Sequence, residues 1–269
     1  MFWNKKVIET VPEDLTHIIV LGVSHMDITG PKLLQQALEQ EQPAVITLEG
    51  DPAVYHYLTT TWKEDKEKKL QQLKEGGLQS PGYETLKQEY DMTGYECFTA
   101  MHYAQQHNLP IHFCGKQDLY GIQQGWQRDT RTMLSDGAVQ ALSNIQLEQQ
   151  QARYRERMED METAMNNKPW NLLAELRFLE GEDYLFKEDE TVAKNVLSHI
   201  QPGKKLVHIT GALHILAGLN TGTLLNYLYK YKPTGTIISR RTVYSTHYQT
   251  KKLVEQPLLV GSGICTTNA

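Results

Sequence analysis

Apolar residues along the chain fall into four short unbroken runs, His17–Leu21, Ala44–Leu48, Pro110–Phe113 and Lys205–Thr210, rich in β-branched side chains. Continuous rather than alternating apolarity predicts strands of a sheet covered on both faces, as parallel sheets are. Between the runs the spacing turns helical. After the first run Thr29 is placed to cap a helix and Pro31 fits its first turn. Leu33, Leu34, Ala37 and Leu38 then form one apolar face that ends before Pro43. Strand, helix, strand at this spacing predicts a βαβ unit. Tyr95–Gln106, with Phe98, Met101 and Ala104 on one side, leads into the third run and predicts a second unit. Gly235–Tyr244 alternates more, as a strand at a sheet edge does.

Two polar stretches also carry helical signals. Trp62–Lys74 ends at Gly76-Gly77, and Asn144–Ala164 is followed by Pro169-Trp170. They read either as solvated helices linking core elements or as a helical cover above the strand ends, and the pattern leaves both open. With 269 residues, the chain lies near the roughly 250–300 at which single cores stop growing. The expectation is one α/β domain over 1–269, with helical insertions at about 55–92 and 140–190.

Composition narrows the function classes. The chain is 40% apolar and 22% charged, with 27 Lys and Arg against 32 Asp and Glu, a net charge of −5. No basic balance points to nucleic acid or an anionic membrane surface. The longest apolar run, Ile18 to Val23, is far short of the roughly 20 residues that span a bilayer. No export signal is visible where the first residues run into Glu9, Glu13 and Asp14. Cys97, Cys114 and Cys265 are odd in number and form no C-x-x-C pair, so neither a disulfide framework nor a thiolate zinc site is expected. A reduced, cytoplasmic setting follows as the expectation.

The strand ends carry the candidate chemistry. The first strand exits into Gly22-Val23-Ser24-His25 and the fourth into Gly211-Ala212-Leu213-His214, two G-x-x-H tetrads. The second exits into Glu49-Gly50-Asp51. Ligands of open α/β sheets bind outside the carboxyl ends of strands, where these residues fall. Two imidazoles and a carboxylate match the ligands of catalytic zinc or manganese sites, and a carboxylate with a histidine can also activate water directly. Either route is hydrolytic, and spacing does not separate them. Glu49 has a structural alternative as the cap of the helix after its strand.

Other catalytic patterns are absent or unconvincing. There is no H-E-x-x-H, Walker A or dinucleotide fingerprint. His102 and His107 are wrongly spaced for a helical pair, and Ser24 lacks the second glycine of a nucleophile elbow. Cys97 and Cys114 read as buried small hydrophobes. Glu96 is either a solvated acid at a helix start or a residue that points into the site.

These segments resemble the TraB/PrgY/Tiki/GumN family, within the superfamily of erythromycin esterase-like and ChaN-like proteins. The similarity lies in His17–His25, Val45–Asp51 and Lys205–His214, with Tyr95-Glu96, Ala100 and Ala104 resembling the family's Glu-bearing helix. It implies two related βαβ-containing halves that form a mostly parallel mixed sheet around a central cleft. It also implies His25, Glu49 and His214 as catalytic and metal positions, with Mn, Co or Zn as the ion. Asp51, Glu96 and Lys116 would contact the substrate, a peptide or small molecule. Family members include metal-dependent proteases, metal-independent esterases, haem binders and pheromone-signalling inhibitors, so a non-catalytic peptide-, haem- or metal-binding role is the alternative. Where the family carries Asp-Arg and Glu-Arg pairs, this chain has Gly115-Lys116 and Glu188-Asp189.

Overall fold

All four apolar runs form strands, and the alternating late segment forms a fifth. These are β1 (Thr16–Val23), β2 (Val45–Leu48), β3 (Ile111–Phe113), β4 (Lys205–Gly211) and β5 (Thr236–Val243). The computed structural model describes residues 15–115, 130–135, 137–166, 188–215 and 222–243. The strands lie in one sheet in the order β3-β2-β4-β1-β5. The mostly parallel sheet expected is parallel at every described pairing. β5 takes the edge that its alternation predicted.

Among the described residues, α-helices join or cover the strands. They are α1 (Gly30–Glu41), α2 (Pro52–Thr60), α3 (Trp62–Glu75), α4 (Gly82–Asp91), α5 (Tyr95–His107), α6 (Ala138–Ser143), α7 (Leu147–Asn166), α8 (Asp189–Ser198) and α9 (Leu224–Tyr231). None is long and apolar enough to cross a membrane. Thr29 does not supply the cap expected of it, because its backbone is already helical and its side chain reaches no free N–H. The carboxylate of Asp27 accepts instead from the N–H and the hydroxyl of Thr29, at 2.8 and 2.7 Å.

Both faces of the sheet are covered, as unbroken apolarity requires. On one face Ile19, Leu21, Ile46 and Ile209 pack against Leu34 and Leu38 of α1 and Ala100 and Tyr103 of α5. On the other, Ile18, Val20, Val45 and Leu206 meet Val192 and Val196 of α8 and Leu225 and Leu228 of α9. Each such side chain contributes roughly 1.5–3 kcal/mol by leaving water. Truncation of a fully buried member such as Leu34 costs about 2–5 kcal/mol.

The inserted helices are more than solvated linkers. Tyr57, Trp62, Leu70, Leu73, Leu86 and Tyr90, from α2, α3 and α4, share an apolar cluster of their own. Helix α7 crosses the strand ends. Gln151 accepts from Ile28 N–H at 3.1 Å and donates to the Met26 carbonyl at 3.2 Å, just past His25. Two turns on, the buried Met158 packs with Ala212 and Leu213, just before His214. Of the two readings of Asn144–Ala164, the structure has the cover.

The strand order fixes where a site can form. From β1 the chain passes through α1, on one face, to β2; from β4 it passes through α9, on the opposite face, to β5. The adjacent strands β1 and β4 therefore send their connections in opposite directions, which opens a crevice at their carboxyl ends. The register aligns Gly22 with Thr210 and Val23 with Gly211, while the Glu49 N–H donates to the Ile209 carbonyl at 3.0 Å. Both tetrads and Glu49 leave the sheet side by side.

Candidate active site

At the crevice the two tetrad glycines have no room for a side chain. A Cβ on Gly22 would lie 2.9 Å from the Ala212 Cα, and one on Gly211 would lie 2.9 Å from His25 Nε2 and 3.4 Å from His214 Cδ2. Both imidazoles thus sit over Gly211. Glu49 completes the group: its Oε1 is 3.1 Å from His214 Nε2, while its Oε2 accepts from the Thr210 hydroxyl and, at 2.8 Å, from the Gly211 N–H. The three residues named from the strand ends are brought together.

Each imidazole is held from behind by a second carboxylate. His25 Nδ1 is 2.9 Å from Glu96 Oε1, and His214 Nδ1 is 2.7 Å from Asp189 Oδ1. Asp189 opens α8, and its other oxygen accepts from the Leu224 N–H at 2.6 Å, tying α8 to α9. Carboxylates and imidazoles therefore alternate, from Glu96 through His25, Glu49 and His214 to Asp189. Their exposure differs: the His25 side chain is 57% exposed, His214 13% and Asp189 4%. Solvent reaches the array from the His25 end.

The charges reinforce one another. Enclosure by protein opposes ionisation of Glu49, yet His214, His25 and the bonds from Thr210 and Gly211 hold its pKa below the ordinary carboxylate value. Partial desolvation opposes protonation of His25, but Glu96, and less strongly Glu49, raise its pKa to about 9. For His214 the same opposition is overcome by Glu49 and Asp189, so its pKa is also raised. Burial pushes the pKa of Asp189 up, against the pull of His214. At neutral pH the array holds an ionised Glu49 beside a protonated His25, and its charge and that of Asp189 favour the protonated form of His214.

Other sequence-named residues fall outside this group. Asp51 does not join it: its carboxylate accepts from the Ala53 N–H at 2.7 Å, because Asp51 is the extended N-cap residue of α2. That also removes the structural alternative for Glu49, which caps no helix. Glu96, left open between solvent and site, turns to His25, and its second oxygen is buried without a hydrogen-bond partner. Lys116 lies outside the described residues. Cys97 and Cys114 are buried, and burial, helped at Cys97 by Glu96 and Glu49, pushes both thiols up to about 12, so neither is a nucleophile.

Sequence reasoning missed two supports. Asp189 had been noted only as a departure from an Arg-bearing pattern, and an acid in a first helical turn gives no further signal. Tyr95 was quoted only for the resemblance, whereas its hydroxyl donates to the Ser24 carbonyl at 3.0 Å and steadies the His25 turn. Another histidine, the fully buried His208 on β4, bonds to the Thr47 hydroxyl at 3.0 Å, and desolvation lowers its pKa to about 4. It lies in the sheet beneath the array.

Among the described residues, no group of three or more His, Cys, Asp or Glu side chains is arranged to hold a metal ion. Comparison of the chain with protein-family models, curated proteins and solved structures finds no match.

Proposed function

We propose that the chain is a hydrolase, with peptide or other amide bonds as its substrate class and Glu49 as its central catalytic group. The observation that carries this reading is the ionised Glu49, held at the switch point between two imidazoles that are each oriented by a separate carboxylate. Pairs of titratable groups driven to opposite charge states mark acid and base assignments. Glu49 orients a water and takes its proton. His25, protonated and partly exposed, faces the incoming carbonyl; it stabilises the developing oxyanion and then protonates the leaving group. His214, balanced by Asp189, keeps Glu49 ionised. The resemblance to the TraB/PrgY/Tiki/GumN family supports the same three residues.

A divalent ion would need these groups to shift and the imidazoles to lose their protons, since no three of the described carboxylates and imidazoles are arranged to hold one. Glu96 and Asp189 occupy the Nδ1 sides of both histidines, as carboxylates do behind metal-bound imidazoles, which leaves the two Nε2 atoms and Glu49 as ligands. A bound Mn, Co or Zn ion would polarise the scissile carbonyl and acidify water.

The test is Glu49→Gln beside the parent chain, assayed on a peptide library with and without chelator. Gln cannot take a proton, so turnover falls by roughly 10²–10⁴ while the melting temperature changes little. Loss of parent activity in chelator, with recovery on added ion, assigns the ion a part, and unchanged turnover assigns the metal-free route. A Glu49→Gln chain that keeps its activity overturns the reading.

A further inference from the structure

We propose that Gln151 and Met158 are positioning residues: through them α7 sets where His25 and His214 stand about Glu49, so that the helix is part of the site as well as its cover. Over residues 151–160 the side chains that are not exposed are those of Gln151, Tyr154 and Met158. They recur at i, i+3 and i+7, which places them on one face of the helix. That face is not an apolar stripe. Its three members make separate contacts with three different parts of the chain.

Gln151, 7% exposed, meets the turn that carries His25. Its amide oxygen accepts from the Ile28 N–H at 3.1 Å and its NH₂ donates to the Met26 carbonyl at 3.2 Å, so two peptide groups of the turn are satisfied by one side chain. Tyr95 holds the same turn from α5, with its hydroxyl on the Ser24 carbonyl and its ring where Gly30 leaves no room for a Cβ. His25 thus stands on backbone fixed just before and just after it. Its imidazole is 57% exposed, so packing does little to place it. The ring goes where the backbone and Glu96 put it.

Met158, 3% exposed, packs with Ala212 and Leu213, the two residues between Gly211 and His214. The seven-residue step from Gln151 to Met158 is a rise of roughly 10 Å along a helix, a fixed length joining the two turns. Between them the Tyr154 hydroxyl donates to Glu89 of α4 at 3.0 Å, which ties the same face to the inserted helices. One rigid element therefore spans both imidazole-bearing turns. If Gln151 could not bond, Met26 and Ile28 would turn toward water and carry His25 with them; without the Met158 contact the His214 turn would relax in the same way.

The test compares four variants with the parent chain. Gln151→Met keeps the length and removes both bonds, Met158→Ala removes the packing, Met158→Leu restores it, and Arg155→Gln lies on the exposed face. Both rings lie over Gly211, so nuclear Overhauser effects from each ring to the Gly211 α-protons report their placement. Gln151→Met should lose the effect from His25 and Met158→Ala that from His214, while Met158→Leu and Arg155→Gln keep both. The kinetic arm rests on the hydrolase reading of Glu49: kcat on the peptide library should fall about 10²-fold in the first two variants with KM little changed. Should Gln151→Met fail to fold, Gln151→Glu, which keeps the bond from Ile28 and loses that to Met26, reads the same contact. A merely structural role would lower the melting temperature and leave both effects in place. That outcome, or equal losses in Arg155→Gln, would overturn the proposal. Effects lost as expected in a chain whose parent cleaves no peptide would refute the hydrolase reading alone, and parent turnover with both effects kept in the variants would refute the positioning alone.

Discussion

Substituting Asn for Asp189 changes the charge at the end of the array while keeping its shape. Asp189 makes two short hydrogen bonds from a side chain only 4% exposed: 2.7 Å to His214 Nδ1 and 2.6 Å to the Leu224 N–H. The amide oxygen of Asn can keep the Leu224 bond in neutral form. Its NH₂ then faces His214 Nδ1, which accepts only if the imidazole gives up its charge. Hydrogen bonds to charged groups contribute about 1.5–3 kcal/mol, and neutral ones about 0.5–1.5. Downgrading two bonds costs about 2–3 kcal/mol, and relief of the buried carboxylate returns part of it, leaving about 2 kcal/mol. For a chain of this size that lowers the melting temperature by roughly 4–8 °C. Asp189→Ala leaves both partners unsatisfied and should cost about 4 kcal/mol or more. Kinetically, Glu49 loses the strongest of the charges that hold its pKa down, so the acid limb of the pH–rate profile moves to higher pH. Turnover at pH 7 should fall by roughly 10²-fold. Calorimetry and a pH–rate profile on the three chains provide the test. An Asn variant melting within about 1 °C of the parent, with its acid limb unmoved, would refute the role given to Asp189.

His208 should make the fold acid-sensitive. The folded chain keeps it neutral down to about 4, whereas the unfolded chain protonates from 6.5. The unfolded state binds more protons in that window, so stability falls with pH there, by about 3 kcal/mol at 1.36 kcal/mol per pH unit. Denaturant midpoints for His208→Gln should therefore vary less between pH 6.5 and 4 than those of the parent, and equal slopes would sink the argument. His25 and His214, with raised pKa values, act in the opposite sense: their stabilisation is complete below 6.5 and is lost as pH rises through the folded values. For Gly211→Ala, the new Cβ meets the exposed His25 ring, and then His214, rather than backbone. The fold should survive within about 1–2 kcal/mol while activity drops with His25 displaced. Circular dichroism beside turnover separates the two effects, and full activity would contradict the geometry.

The strands were legible because unbroken β-branched runs have few other places to go. Observed β1, β2, β3 and β4 differ from the predicted spans by one or two residues at their ends. The two G-x-x-H tetrads were legible because a glycine at a strand end followed by a histidine announces a turn over the sheet edge. Which residues stand behind the histidines was not. Glu96 and Asp189 reach them only through the packing of α5 and α8, and neither packing leaves a local signal in sequence. The cap made by Asp51 was not legible for the converse reason: an acid at a βα turn caps a helix as readily as it contacts a substrate. Helix α7 was ambiguous because a polar helix with two buried anchors, Gln151 and Met158, has the periodicity of a solvated one.

The strand order also has a consequence for biosynthesis. β1 is made early, yet both of its neighbours, β4 and β5, are made late: His17 pairs with Lys205 on one side and Ile237 on the other. At about 5–20 residues per second, the most apolar strand of the sheet waits roughly 10–40 s on the ribosome with both edges unpaired. The early β2 and β3 can zip together, but β1 is separated from β2 by the place reserved for β4. A nascent chain stalled before Lys205 therefore carries an open template for aggregation.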